Sequence, residues 1–457
     1  MFAKLQVLLY LVCMTRADVL VTVQGMLRGE EHDGYTSYTG IPYATVPRNN
    51  GRFKVLVWVT GIGGGYKPGQ LVQRDIIVVV VHHRQGPVGF LCLTEDKVPG
   101  NAGVKDVVLA LRWVRDNIVA FKGNPASVVI AGQSFGAAMV EALTLSPMAH
   151  GLYHGVILQS GTVLAPWSFN YDAKQRAMAL AKMIGDDEES TTLQNANIVD
   201  LVDKSNKLDM SYFPFGICED RSLRNEERLL FEAPIDLLTG RKVNEVPIMM
   251  GYNTDEAYVF ASALNDPKVM EKISKDISVL LPVELKFINE KEMNQVAQQI
   301  EDVYFKKDRS LPSFLAYHRD TYFISHIYRS ARLHASSSSL PVYFYQFSYS
   351  GDAGVVPQRG VEKTGAAHSD ELAFLFGSDL DGDDGAAQEH LVRLWTNFVK
   401  YLNPNRKEST PWTALDPTGP RVFDIGTETK MVDFPHTKVT RMWDDVYKVY
   451  FYSRNRK

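Results

Sequence analysis

One segment constrains this chain more than any other: Val128-Val-Ile-Ala-Gly132-Gln133-Ser134-Phe135-Gly136, followed by AAMVEALTL. A short β-branched run ends in Gly-x-Ser-x-Gly and opens directly into an apolar helical pattern. A serine on a strand-to-helix turn takes a strained backbone, and flanking glycines leave room for that turn. The helix that follows aims its N-terminus at the serine, where negative charge is stabilised. The segment predicts a nucleophile elbow at Ser134, with an ordinary turn as the competing reading.

The rest of the chain supplies the sheet that such an elbow needs. Strands are expected at Val55–Thr60, Ile76–His83, Val128–Gly132, Gly155–Ser160, Val246–Gly251 and Val342–Phe347. Several are apolar throughout, as expected where helices cover both sheet faces. Apolar residues at helical spacing predict helices over Val104–Phe121 and Glu389–Leu402. Strands and helices in alternation argue for an α/β fold with a mainly parallel sheet. The polar stretch from Asp186 to Asp209 is expected to form surface helices and loops inserted into this unit. Residues 335–339 (ASSSS) and 379–385 (DLDGDDG) are expected to be loops. The second starts like a calcium loop, but Asp384 stands at the glycine position and His390 at the closing Glu position.

A nucleophilic serine needs a base, and the base needs an orienting acid, in the order Ser, acid, His for this sheet type. Asp255 and Glu256 follow the strand VPIMM in GYNTDE, and His368 lies in GAAHSDE. Both acids stand open at this point. His82 and His83 are neighbours, so on a strand they point to opposite faces and cannot chelate together. The run Gly61-Ile-Gly-Gly-Gly65-Tyr66 follows VLVWVT, where glycine backbones can present N–H groups to a developing oxyanion. As a dinucleotide loop it fails, because Tyr66 occupies the last glycine position.

The ends and the charge narrow the setting. Lys4, the apolar run Leu5–Met14 and the small Ala17 read as a cleaved secretion leader over residues 1–17. One hydrolase-sized domain over 18–457 would follow, without a membrane span, and secreted. A net charge of −4 without a basic block gives no case for nucleic acid. Of three cysteines, Cys13 leaves with the leader. Cys92 and Cys218 sit in apolar patches and are expected to be buried thiols, with a single bridge as the alternative.

Several stretches together resemble the type-B carboxylesterases of the carboxylesterase/cholinesterase family, in particular insect esterases. They are GIPYA at 40–44, DIIVVVVHHRQGPVGFL at 75–91, GNAGVKDVVLALRWVRDNIVAFKGNP at 100–125, the elbow, GVILQSGT at 155–162, GYNTDE and GAAHSDELAFLFG. The resemblance implies an α/β-hydrolase fold, a central mostly parallel sheet flanked by helices. Matched to that pattern, Ser134 is the nucleophile, Glu256 the acid and His368 the base. Gly64, Gly65 and the Phe135 N–H fall where the family builds its oxyanion hole, and Ser160 falls on the floor of the site. Arg52-Phe53, Gly-Gln-Ser and Gly-x-x-His-x-x-Glu also resemble marks of juvenile hormone esterases, from which Val107 and Phe135 depart.

Three differences from the pattern stand out. Lys54 runs straight into VLVWVT, where family members carry several dozen more residues. The Gly-rich loop reads Thr-Gly-Ile-Gly-Gly-Gly where the family has His-Gly-Gly-Gly. Phe135 is expected to narrow the acyl pocket. The expected activity is hydrolysis of small to medium apolar esters with no metal or organic cofactor. The 22 Phe and 21 Tyr favour such ligands. The rivals are a non-enzymatic binding homologue on the same fold and a serine peptidase.

Overall fold

The computed structural model of the chain describes residues 19–22, 25–32, 35–38, 52–61, 66–93, 98–185, 190–208, 214–220, 228–264, 266–354, 361–406, 408 and 410–453. The leader expected at 1–17 lies outside them, as do Gly64 and Gly65. Eight strands build the main sheet: β1 (Phe53–Val59), β2 (Ile76–Val81), β3 (Gly123–Gln133), β4 (Gly155–Gln159), β5 (Ile248–Asn253), β6 (Val342–Phe347), β7 (Arg421–Ile425) and β8 (Thr429–Asp433). Their order is β8-β7-β6-β5-β4-β3-β1-β2. All neighbours run parallel except β7 and β8.

Alternation along each strand feeds two cores. On β1, Val55, Val57 and Val59 enter one apolar cluster, while Leu56 and Trp58 enter the other. Helices α1 (Ala102–Asn117), α2 (Phe135–Thr144), α3 (Ser325–Ser337) and α6 (Thr437–Tyr447) cover the first face. The second is covered by α4 (Asp370–Phe376) and α5 (Gly382–Tyr401). This explains why the inner strands read as continuous apolar runs. Among the described residues, no helix is long and apolar enough to cross a membrane.

The chain enters at β1, steps outward to β2, then returns to β3 on the other side of β1. The strand order therefore reverses between β1 and β3, and ligands bind beyond the carboxyl ends of strands at such a point. The elbow leaves β3 there, and the Gly-rich loop leaves β1. At the far end, β2 is the last strand of the sheet among the described residues, and its four central residues are only half-buried.

All six predicted strands are present, with ends shifted by up to five residues, and the helix predicted from Val104 forms as α1 and a short 3-10 turn, Ile118–Phe121. The polar stretch carries helices Ser190–Asn195 and Ile198–Ser205. Three expectations need correction. Residues 335–337 are the last turn of α3, where Ser337 Oγ donates to Leu333 and Leu238 carbonyls instead of breaking the helix. Residues 382–385 begin α5, whose first turn is stabilised by Asp383 and Asp384 at the positive end of the helix. Cys92 and Cys218 are joined by a disulfide with Cα atoms 6.7 Å apart. Asn101 holds Cys218 in place by donating to its carbonyl at 2.8 Å and accepting from its N–H at 2.9 Å.

Candidate active site

Ser134 sits between β3 and α2 with φ 58° and ψ −126°, a conformation that costs of order 1–3 kcal/mol for a non-glycine residue. The surroundings fix it. Its N–H donates to the Gln159 carbonyl of β4 at 2.8 Å. The two motif glycines allow backbone to pack on backbone. A Cβ on Gly132 would fall 2.5 Å from the Gly136 carbonyl, and one on Gly136 would fall 2.4 Å from the Val59 carbonyl of β1. The sequence pattern thus has a steric meaning: the elbow is pressed against β1 more closely than any side chain permits.

Phe135 is the first residue of α2, so its N–H lies at the positive end of the helix. Its ring is buried and meets Phe90 edge-on, with centroids 5.0 Å apart. Gly61 lies against the same backbone; a Cβ there would be 2.8 Å from the Gln133 carbonyl and 3.7 Å from the Phe135 nitrogen. The Gly-rich loop therefore departs from beside the Phe135 N–H. Of the three expected oxyanion donors, only Phe135 falls among the described residues.

Glu256 and His368 come together from the ends of β5 and from the loop before α4. His368 Nδ1 is 2.6 Å from Glu256 Oε2, and the other carboxylate oxygen accepts from the Asn253 N–H at 2.8 Å. Glu256 is fully buried. Asp255 does different work. Its Oδ2 accepts from the Thr364 and Gly365 N–H groups at 2.8 and 2.7 Å, which holds the histidine loop and not the imidazole. Burial alone would lower the pKa of His368, but the charge and hydrogen bond of Glu256 outweigh it and carry the imidazole above 6.5.

The opposite ring nitrogen is not on the serine. His368 Nε2 lies 3.2 Å from Gln133 Nε2, and no hydrogen bond joins Ser134 Oγ to His368 among the described residues. With Nδ1–H donated to Glu256, Nε2 is an acceptor for the Gln133 amide. Gln133 Nε2 also donates to Ser369 Oγ at 2.9 Å. The Gln133 amide therefore occupies the ring nitrogen that faces the elbow.

Sequence reasoning noted Glu371 only as part of a spacing and assigned it no role. It is fully buried one turn beyond His368, accepting from Gln159 Nε2 at 3.0 Å and Asn253 Nδ2 at 2.5 Å. Burial, reinforced by the Glu256 charge, pushes its carboxyl up to about 7. Ser160 follows β4 with φ 53°, and its buried hydroxyl has no hydrogen-bond partner among the described residues. Aromatic rings pack beside the imidazole: Phe323 lies 4.9 Å from His368, Phe260 packs against Phe323, and Trp167 also meets Phe323, with centroids 6.0 Å apart. His83 stays outside this group, with Nε2 2.8 Å from the Thr60 carbonyl.

Comparison with known proteins agrees with this fold. The sequence model of the carboxylesterase family matches residues 54–443. Human carboxylesterase 5A is 29% identical over 415 residues, covering 82% of this chain and 68% of that protein. Juvenile hormone esterase from Heliothis virescens is 27% identical, covering 81% and 71%. The medium-chain fatty acyl-CoA hydrolase precursor of Anas platyrhynchos is 28% identical, covering 89% and 75%. The crystal structure of Manduca sexta juvenile hormone esterase with OTFP covalently attached superposes with a TM-score of 0.77 at 26% identity, covering 88% and 82%. The chain belongs to the carboxylesterase family and is a carboxylic ester hydrolase on the α/β-hydrolase fold.

Proposed function

We propose that this enzyme cleaves small to medium apolar carboxylic esters through Ser134, His368 and Glu256. The observation that carries the reading is the imidazole, held at Nδ1 by a buried carboxylate 2.6 Å away and turned at Nε2 toward the elbow. Ser134 Oγ attacks the ester carbonyl while His368 Nε2 takes its proton, and Glu256 stabilises the imidazolium. The oxyanion is received by the Phe135 N–H together with those of Gly64 and Gly65. His368 then protonates the leaving alcohol. Water, activated by the same imidazole, releases the acid and restores Ser134. No metal or organic cofactor enters these steps. The aromatic side chains packed beside His368 (Phe323, with Phe260 and Trp167 against it) support an apolar substrate body. The reading includes a cleaved leader over 1–17, a single hydrolase domain over 18–457, and a secreted product.

The test is labelling with a fluorophosphonate probe beside a p-nitrophenyl acetate assay, on the chain and on Ser134→Ala. Labelling and turnover that both vanish in the variant are expected. A folded chain that neither labels nor hydrolyses would sink this reading. That result would favour a ligand-binding homologue, the alternative supported by Gln133 occupying Nε2 where an active serine is needed.

A further inference from the structure

A cavity of about 510 Å³ opens between α3, the short helix Pro234–Thr239 and the C-terminal segment that follows α6. No residue placed in the active site lines it. Its size falls within the range of small-molecule sites, ~300–1,000 Å³. Its apolar lining comes from Ile235, Leu333 and Pro417. Its charged lining is three cations, Arg329, Arg332 and Lys448, against one acid, Asp444.

The ion pairs leave positive charge unspent. Asp444 uses one oxygen for Arg329 Nε at 2.7 Å and the other for an Arg332 amino group. Arg329 is otherwise satisfied by the Trp443 carbonyl and the Tyr452 hydroxyl. Arg332 also lies over the Tyr328 ring, 5.0 Å from its centroid. Lys448 is exposed and forms no ion pair among the described residues. One acid against three cations leaves an excess of positive charge along the lining, which an anionic ligand offsets.

We propose that this cavity binds an amphiphilic organic monoanion, a carboxylate carried on an aliphatic chain. The carboxylate lies between Arg332 and Lys448, and the chain lies along Ile235, Leu333 and Pro417. An inorganic anion leaves the apolar lining bare, and a neutral lipid leaves the excess positive charge unmatched. The site is separate from the ester-cleaving machinery, so the proposal stands whether or not Ser134 reacts.

Isothermal titration of the full chain with decanoate below its self-association range tests this, beside acetate and decanol and beside Lys448→Ala and Arg332→Gln. The expected result is one saturable decanoate phase, no acetate binding, and decanol at least tenfold weaker. Each variant should weaken decanoate at least fivefold. Lys448 is exposed, so its variant keeps the test valid even if Arg332→Gln unfolds. Decanoate affinity unchanged in Lys448→Ala overturns the proposal, because any binding then lies elsewhere, as in the ester site. Equal affinity for decanol, or no saturable decanoate binding, overturns it as well.

Discussion

In the proposed mechanism His368 takes a proton from Ser134 only while neutral, so kcat/KM should fall as pH drops through the folded pKa of the imidazole. Glu256 raises that pKa against the effect of burial, which sets the acid limb above 6.5. A pH–rate profile with its acid limb at or below 6.5 would contradict the coupling. Gln133→Glu should move the limb upward by about one unit, because a second carboxylate beside Nε2 favours the imidazolium. Much of this site was legible in the sequence. Ser134 and His368 stand in recognisable local patterns, and Glu256 was named beside Asp255. The choice between those two acids was not locally legible, since it depends on which side chain the 364–365 turn captures. Gln133 escaped for a similar reason: its contact with His368 spans 235 residues of chain.

Among the elements, α2 is held from both ends. Its N-terminus rests on the glycine contacts with β1, and its interior carries Glu141, fully buried. Glu141 accepts from His334 Nε2 of α3 at 3.0 Å, from the Val163 N–H at 2.7 Å, and from Ser330 Oγ. Burial opposes its charge, but these hydrogen bonds outweigh it and keep the carboxyl below its ordinary value. Glu141→Ala leaves the partners buried and unpaired, so urea unfolding should show a loss of about 3–5 kcal/mol. Gly136→Ala should abolish probe labelling even in protein that remains soluble, because its Cβ drives the elbow off β1. The five predicted inner strands were visible because burial on both faces demands unbroken apolar runs, and the end strand β2 because it is Ile and Val throughout. The strands β7 (RVFDI) and β8 (TKMVD) were not, since charged residues interrupt them and β8 is largely open to solvent.

At the scale of the whole molecule, the sheet ends on β2, a run of six Ile and Val residues whose middle four are half-buried. An apolar end strand offers unpaired backbone groups to other chains. Val79→Lys should therefore lower light scattering on incubation at a matched concentration; an unchanged signal would mean that this edge is covered. The Cys92–Cys218 bridge encloses 126 residues of sequence separation, and Cys92→Ser should cost roughly 2–5 kcal/mol in denaturant unfolding. That bridge also divides the chain in a way the fold alone does not. The closed ring holds Ser134 but neither Glu256 nor His368. A protease that cuts once inside the ring leaves a single covalent molecule until reductant is added. A cut between Cys218 and Glu256 parts the serine from its acid and base at once, so paired gels with and without reductant report which portion of the chain was entered.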